Sequence, residues 1–203
     1  MPHARVALAA AASLLSACVS PGIAPSVEGR AAAEAAWNQR IASIEAANGF
    51  VLLGRLAVKG GGLSGSLRWQ QDGTRFNLRL TGPFGVGALT LDGDDRLVAI
   101  KSKNIDLVTA EPEAVLAART GWRLPLNALH YWVLGIPAPQ SAADVALDAD
   151  GRALSLQQAG WSIRYSDYRD GSPALPGRIE AQREDWTAIV AVESLTLATP
   201  TAP

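Results

Sequence analysis

Apolar and polar side chains alternate one by one along most of the chain between residues 50 and 195. The stretch Arg-Phe-Asn-Leu-Arg-Leu at residues 75–80 is a regular example, in which every second side chain is apolar. A period of two places successive residues on opposite faces of a β-strand, so one face of the resulting sheet is apolar and the other is polar. The pattern predicts about eleven strands, at residues 50–58, 63–70, 75–80, 86–91, 96–100, 104–109, 144–148, 153–158, 161–166, 177–183 and 187–195.

Short turn sequences separate many of these strands. Asp-Gly pairs stand at residues 72–73, 92–93, 150–151 and 170–171. Asp-Gly is typical of tight hairpins because both residues tolerate positive φ. Consecutive hairpins give an antiparallel sheet, and a sheet of this many twisted strands is expected to curl into a barrel or a half-barrel.

Three segments break the alternation and predict helices. Trp37, Ile41 and Ile44 recur at helical spacing within residues 30–47. Two shorter helices are expected at residues 112–121 and 125–135, because each begins with proline and ends with glycine. The predicted fold is therefore mainly β, of the α+β class, with the short helices covering the open side of the curled sheet.

The first 17 residues precede the only cysteine of the chain and have the composition of a secretory signal. A weakly basic start is followed by an apolar run that is too short to span a bilayer. Cys18 follows Leu15-Ser16-Ala17, an arrangement that bacterial lipoprotein processing cleaves and lipidates; an ordinary free thiol is the alternative. Residues 18–29, rich in proline, glycine and serine, are expected to form a flexible tether, and residues 30–203 a single domain.

The residues that follow Cys18 indicate the location of the protein. The charge of the chain excludes one class of partner. Val19-Ser20 lack the aspartate that usually retains such lipoproteins in the inner membrane, so the periplasmic face of the outer membrane is the expected location. Without residues 1–17, and thus without Arg5, 17 Lys+Arg stand against 19 Asp+Glu, a net charge of −2. Because no basic block occurs, nucleic acid is not expected as a partner. The domain is expected to be a monomer.

Residue types that carry catalysis or bind metals are sparse. His130 is the only histidine after residue 17 and lies on a predicted helix, where a structural role is the simplest explanation. No set of histidine, cysteine and acidic residues has the spacing of a metal site. The glycine clusters at residues 60–62 and 85–87 are not followed by a helix that could bind phosphate. We therefore expect a protein that is not an enzyme and that uses no metal or cofactor.

The six tryptophans are numerous beside three phenylalanines. Such side chains either fill a solid core or line a cavity beneath the helices, and the sequence leaves both arrangements open. The wall of such a cavity would consist of inward-facing side chains of the strands together with one helical tryptophan. The residues predicted on this wall are Leu67, Trp69, Phe76, Leu78, Trp132, Trp161 and Ile163.

One aromatic side chain lies in a predicted turn. Pro83, Phe84 and Gly85 follow a regular strand, and the proline and the flanking glycines favour a tight turn with Phe84 near its tip. Phe84 either folds back onto the sheet or protrudes into solvent. A protruding aromatic would be suited to contact a membrane.

Several stretches behind the lipidation sequence, taken together, resemble the LolB family of outer-membrane lipoprotein receptors. They run in family order at residues 53–58, 67–71, 80–85, 124–129, 132–137 and 158–165, and include Leu-Thr-Gly-Pro-Phe-Gly at 80–85. The resemblance implies an unclosed antiparallel barrel with a helical lid, around an apolar cavity that accepts the acyl chains of lipoproteins. It also implies that the periplasmic carrier LolA delivers these lipoproteins and that the receptor passes them into the lipid of the outer membrane.

The resemblance also assigns roles to individual residues. The family's protruding loop carries an exposed apolar residue, usually leucine, and Phe84 stands at the matching position. The family commonly ends near a tryptophan, whereas this chain has Leu195 in that region and continues to Pro203, which leaves the register of the last strand open. Two other functions stay open at this point: a structural or assembly-factor lipoprotein without a cavity, and a lipid-modifying enzyme, for which no acid–base pair is found.

Overall fold

The computed structural model describes residues 26–59, 63–83, 87–123 and 125–198. Within them the chain forms one sheet of eleven antiparallel strands and three helices, which confirms the mainly β fold. The strands are β1 (Gly49–Lys59), β2 (Leu63–Asp72), β3 (Arg75–Thr81), β4 (Ala88–Gly93), β5 (Val98–Lys101), β6 (Asp106–Thr109), β7 (Ala143–Leu147), β8 (Ala153–Gln158), β9 (Trp161–Ser166), β10 (Arg178–Arg183) and β11 (Trp186–Leu197). The helices are α1 (Val27–Glu45), α2 (Pro112–Thr120) and α3 (Leu126–Trp132).

The sheet is an unclosed barrel whose gap lies between two strands that are consecutive in the chain. The strand order is β6-β5-β4-β3-β2-β1-β11-β10-β9-β8-β7. β1 is central because it pairs with β2 on one side and with β11, the last strand, on the other. β6 and β7 form the two edges, and the segment that joins them carries α2 and α3. The structure also gives the register of the last strand, in which Leu52 pairs with Leu195.

The hydrophobic core lies between the inner face of the sheet and the helices. Along β9, for example, Trp161, Ile163 and Tyr165 are buried, whereas Arg164 between them is exposed. The same alternation on the other strands builds one cluster that also includes Leu116 of α2. Each large apolar side chain removed from water contributes about 1.5–3 kcal/mol, so this shared core is what holds the helices against the sheet.

α1 begins at Val27, before the predicted start at Arg30. The hydroxyl oxygen of Ser26 accepts a hydrogen bond from the backbone N–H of Gly29 at 3.1 Å. A side-chain acceptor at this position satisfies one of the free N–H groups of the first helical turn. Residues 27–29 are therefore helical and do not belong to the predicted tether; residues 18–25 of that tether lie outside the described residues.

The hairpin between β4 and β5 does not turn at Asp92-Gly93 as the Asp-Gly pair predicts. Both residues lie in β4, and Gly93 pairs with Val98. The turn is stabilised by Asp94, whose carboxylate accepts hydrogen bonds from the backbone N–H groups of Arg96 (2.9 Å) and Leu97 (3.0 Å). Glycine is required at position 93 because a Cβ atom there would lie 2.1 Å from the carbonyl oxygen of Leu97.

On the β1–β6 side of the sheet, different strand connections lie at the two ends. The connections β1–β2, β3–β4 and β5–β6 share one end, which we call the loop end, because antiparallel strands alternate in direction. The connections β2–β3 and β4–β5 share the other, which we call the mouth end. α2 also begins at the mouth end, two residues beyond β6.

Candidate functional site

An apolar cavity of about 70 Å³ lies between the inner face of the sheet and the helices α2 and α3. Every side chain around it is aliphatic or a tryptophan. Such a wall excludes polar ligands and suits a hydrocarbon. The lining residues are Leu56, Leu67, Trp69, Leu78, Leu80, Leu89, Leu91, Leu116, Trp122, Leu126, Leu129, Trp132, Val133, Ile179, Ala181, Ala188 and Val190.

Four of the seven predicted wall residues line this cavity, namely Leu67, Trp69, Leu78 and Trp132. Leu67 and Trp69 face inward from β2, and Leu78 pairs with Trp69 across the β2–β3 ladder. The Trp69 ring also contacts Phe50 edge-on, with ring centroids 5.4 Å apart. Because Trp132 belongs to α3, the sheet and a helix both contribute to the wall.

The other three predicted wall residues do not line the cavity. Trp161 and Ile163 are fully buried on the inner face of β9, and the Trp161 ring packs against Trp132 with centroids 6.0 Å apart. Phe76 lies in a separate cleft at the mouth end. Alternation identifies the inward face of each strand, but the position of the helices decides which inward side chains border empty space and which are packed.

The cleft at the mouth end has a volume of about 920 Å³ and is open to solvent. Trp69, Leu78 and Leu126 line both the cleft and the cavity, so the two spaces are adjacent. His130 also lines the cleft, and burial lowers the pKa of its imidazole. An apolar chain in the cavity could therefore continue into a polar group held in the cleft.

The rim of the cleft carries Asp94, Asp95, Glu111 and Glu113, which outnumber the one arginine on it, Arg96. Hydrogen bonds from the backbone N–H groups of Leu97 and Arg96 hold the pKa of the Asp94 carboxyl below its ordinary value. The mouth of the cleft is therefore negatively charged at neutral pH.

Gln158, at the end of β8, is a buried polar residue that joins the cavity wall to the sheet. Its Oε1 accepts hydrogen bonds from Trp132 Nε1 (2.8 Å) and from the backbone N–H of Ala138 (2.9 Å). Its Nε2 donates to the carbonyl oxygens of Ala138 and Ser141, both at 2.7 Å. All four hydrogen bonds of the amide are made, and they fix the indole of Trp132 and the segment that leads from α3 to β7.

Sequence comparisons identify the family. A sequence profile described as "Outer membrane lipoprotein LolB" matches residues 48–198. The chain belongs to the LolB family. It is 35% identical over 178 residues to the outer-membrane lipoprotein LolB of Stutzerimonas stutzeri, covering 86% of each chain. It is 38% identical over 148 residues to that of Nitrosococcus oceani, covering 70% of this chain and 74% of the relative.

The fold of this LolB-family chain is similar to that of two solved structures. A LolA superfamily protein from Nitrosomonas europaea superposes with a TM-score of 0.50 at 10% identity, over 84% of this chain and 95% of that one. A putative outer membrane lipoprotein-sorting protein domain from Vibrio parahaemolyticus gives 0.50 at 9% identity, over 86% and 95%. At such identities the likeness shows the fold alone.

Some predicted site residues of this LolB-family chain are not described by the structure. Cys18, Phe84 and Gly85 lie outside the described residues, and Pro83 is exposed at the loop end.

Among the described helices, none has the length and apolarity needed to cross a bilayer. Within the described ranges, no three His, Cys, Asp or Glu side chains form a group that could hold a metal ion.

Arg40 of α1 is a buried charged residue that the sequence pattern did not single out. Its guanidinium lies over the Tyr168 ring, 5.2 Å from the centroid, and Nε and Nη2 have no hydrogen-bond partner among the described residues. Arg152 lies 5.4 Å from the centroid of the same ring. Burial lowers the pKa of Arg40 and raises the pKa of Tyr168 to about 12. A cation–π contact therefore connects α1 to the segment after β9.

Proposed function

We propose that this protein is an outer-membrane lipoprotein receptor. It accepts lipoproteins from the periplasmic carrier LolA, holds their acyl chains in the apolar cavity and releases them into the lipid of the outer membrane. The observation that supports this most is the cavity itself, which has hydrocarbon walls on the sheet side and on the helix side. The names of its relatives, outer-membrane lipoprotein LolB, support the same membrane and a role in lipoprotein localisation.

An acyl chain must stay out of water throughout its transfer between membranes. Each methylene contributes about 0.8 kcal/mol, so a chain of about sixteen carbons costs on the order of 12 kcal/mol to expose. A protein wall that replaces most of this burial removes the barrier without an energy source. Carrier, receptor and bilayer then need to differ in affinity by only about a few kcal/mol at each step.

The cavity must widen to take a whole chain, because about 70 Å³ holds only a few groups of the size of a methylene or a water molecule. Of the two lid helices, α2 is the one suited to move, since Leu116 is its one buried side chain, whereas the Trp132–Gln158 hydrogen bond holds α3 to the sheet. Elements with few buried side chains open at the lowest free-energy cost. In the proposed cycle α2 separates from the sheet as the chain enters.

The polar part of a lipoprotein needs a polar surface while its acyl chains are buried. The cleft at the mouth end adjoins the cavity at Trp69 and Leu78 and is open to solvent. With its acyl chains in the cavity, the cargo would therefore place its N-terminal polypeptide in the cleft, where exposed carboxylates and backbone groups remain hydrated.

A transfer assay tests this function. Radiolabelled lipoprotein bound to LolA is mixed with vesicles that carry the receptor in outer-membrane lipid, and the label that enters the lipid is counted. We expect transfer only when the receptor is present. The same protein is also mixed with an acyl ligand alone. Failure to bind any acyl ligand would contradict the proposal and favour a structural lipoprotein, and chemical turnover of the ligand would favour an enzyme.

The anchor is proposed to be a triacylated Cys18, with the residues up to Ser26 as the tether to α1. Lipidation of the only cysteine would hold the mature protein at the membrane without a spanning helix. Intact-mass spectrometry of the membrane-extracted protein is expected to show loss of residues 1–17 and addition of the lipid groups to Cys18. An unmodified thiol, or cleavage at another residue, would contradict the anchor.

Phe84, in the connection between β3 and β4, is proposed to contact the membrane during delivery. Burial of an aromatic side chain in the membrane interface contributes about 2 kcal/mol, enough to bias docking and still be reversible. We expect Phe84→Glu to abolish transfer in the assay above and to leave the melting temperature and acyl binding unchanged.

The matched control at this position is Phe84→Leu, which keeps an apolar side chain and is expected to retain transfer. If Phe84→Glu transfers as well as the wild type, or if it lowers the melting temperature strongly, Phe84 does not act in delivery and instead packs on the sheet.

A further inference from the structure

Three basic side chains lie close together on the outer face of the sheet, toward its loop end. We refer to Arg68, Arg79 and Lys101 as the basic face. All three are exposed, and the neighbours of Arg68 on β2, Leu67 and Trp69, are buried, which places Arg68 on the outer face. None of the three forms an ion pair with another residue in the described parts of the chain.

The three residues of the basic face form a row that extends from β2 to β5. Arg68 and Arg79 stand directly opposite each other in the β2–β3 ladder. Thr90 is paired with Arg79 on one side and with Lys101 on the other. Adjacent strands lie about 4.8 Å apart, so the row extends over about 15 Å. Like charges directly opposite each other destabilise a sheet, so an anionic surface that contacts the Arg68–Arg79 pair would relieve this repulsion.

Few acidic groups offset these charges. Asp106 stands opposite Lys101 in the β5–β6 ladder without forming an ion pair. Asp92 lies nearer the mouth end, and its carboxylate accepts a hydrogen bond from Asn77 at 2.6 Å. At the mouth end the rim of the cleft is acidic, and the whole chain has a net charge of −1. On the β1–β6 side, positive charge therefore lies toward the loop end and negative charge at the mouth end.

We infer that the basic face binds the anionic phospholipid head groups of the membrane to which the protein delivers its cargo. The inference rests on the proposed function, and it adds a second contact to the proposed anchor. The row is extended and lies on the outer face of the sheet, which matches the charged plane of a bilayer better than a small ligand. It is also charged at its centre, where protein–protein interfaces are usually depleted of charge.

The basic face lies close to the connection that contains Phe84. Arg79 lies two residues before the end of β3, and the connection that contains Phe84 follows at the same end of the sheet. Phospholipid bound at the loop end would therefore bring that connection to the bilayer. The acidic mouth at the opposite end would be repelled by the same lipid and would face incoming carriers.

The test uses vesicle flotation of the chain from residue 18 onward, carrying Cys18→Ala and secreted through a conventional signal. This form keeps every side chain of the buried core, which extends from Ile44 to Val192. Vesicles of phosphatidylcholine, with or without phosphatidylglycerol, are compared at low and at high salt. We expect binding only with phosphatidylglycerol and at low salt, and about a 100-fold lower partition coefficient for the triple variant Arg68→Gln/Arg79→Gln/Lys101→Gln.

The matched control is Arg75→Gln/Arg164→Gln/Arg178→Gln, which removes the same net charge from other parts of the sheet and is expected to bind vesicles like the parent. Equal losses in both triple variants, or equal binding to both kinds of vesicle, would overturn the inference. A basic-face variant that keeps vesicle binding but no longer binds LolA would also overturn it and would assign the surface to the carrier.

Binding of a fluorescent fatty acid, measured without vesicles on the same variants, separates this inference from the proposed function. Acyl binding without any affinity for phosphatidylglycerol would overturn the phospholipid surface alone. Affinity for phosphatidylglycerol without acyl binding would support the surface and contradict the receptor.

Discussion

Replacement of Gln158 by leucine is expected to lower the free energy of unfolding by about 3–5 kcal/mol. Leucine has a similar size but leaves four groups without these partners: the buried indole N–H of Trp132, both buried backbone groups of Ala138 and the partly buried carbonyl oxygen of Ser141. Each buried polar group that loses its partner costs about 1–3 kcal/mol, and partial relaxation keeps the total below the sum. Urea denaturation measures the change.

The neighbouring Gln157 provides the control for this substitution. It is exposed and donates one hydrogen bond, to Ser162 Oγ at 2.8 Å. Gln157→Leu is expected to change the free energy of unfolding by less than about 0.5 kcal/mol. A loss below about 1 kcal/mol for Gln158→Leu would show that water satisfies the four groups and that Gln158 does not hold Trp132 in the cavity wall.

Replacement of Ala188 by leucine is expected to weaken acyl binding about 50-fold, because it fills the cavity with three additional carbon atoms. Ala188 lines the cavity and stands directly opposite Ala181, another small residue of the wall, in the β10–β11 ladder. Each methylene of ligand that no longer fits forfeits about 0.8 kcal/mol. Stability is expected to stay the same or to rise, since the new side chain enters existing empty space.

The control for Ala188→Leu is the same substitution at Ala191, which is exposed on the same strand. Ala191→Leu is expected to leave the dissociation constant of a fluorescent fatty acid unchanged. If Ala188→Leu binds the fatty acid as tightly as the wild type, the ligand does not occupy this cavity.

The sequence predicted the sheet well because strand faces and many turns depend on local patterns. The period of two alone predicts the inward positions of Phe76, Leu78 and Leu80. The Asp72-Gly73 pair correctly marks the hairpin between β2 and β3, whose turn is Gly73-Thr74 because Asp72 still pairs with Arg75. The Asp-Gly pair at 92–93 was misleading because Asp94, the next residue, provides the carboxylate that caps the turn. Likewise the start of α1 depended on Ser26, a single capping residue.

The candidate site was harder to predict because it depends on packing between distant segments. Alternation places Trp161 and Leu67 on inward faces alike, yet of the two only Leu67 lines the cavity, since the ring of Trp132 in α3 packs against Trp161. Gln158 did carry a signal in the sequence. It occupies the same inward parity as Leu156 in β8, and a polar residue at a core position requires partners that the sequence alone does not reveal.

The presence of an acyl chain inside the cavity is tested most directly by cross-linking. A fatty acid with a photoreactive group at its methyl end is bound to the wild-type protein and irradiated, and the labelled peptides are identified by mass spectrometry. We expect labels on wall residues from both sides, such as Trp69, Leu78 and Trp132, and loss of these labels in Ala188→Leu. Labels confined to exposed residues of the outer face would contradict the receptor function proposed here.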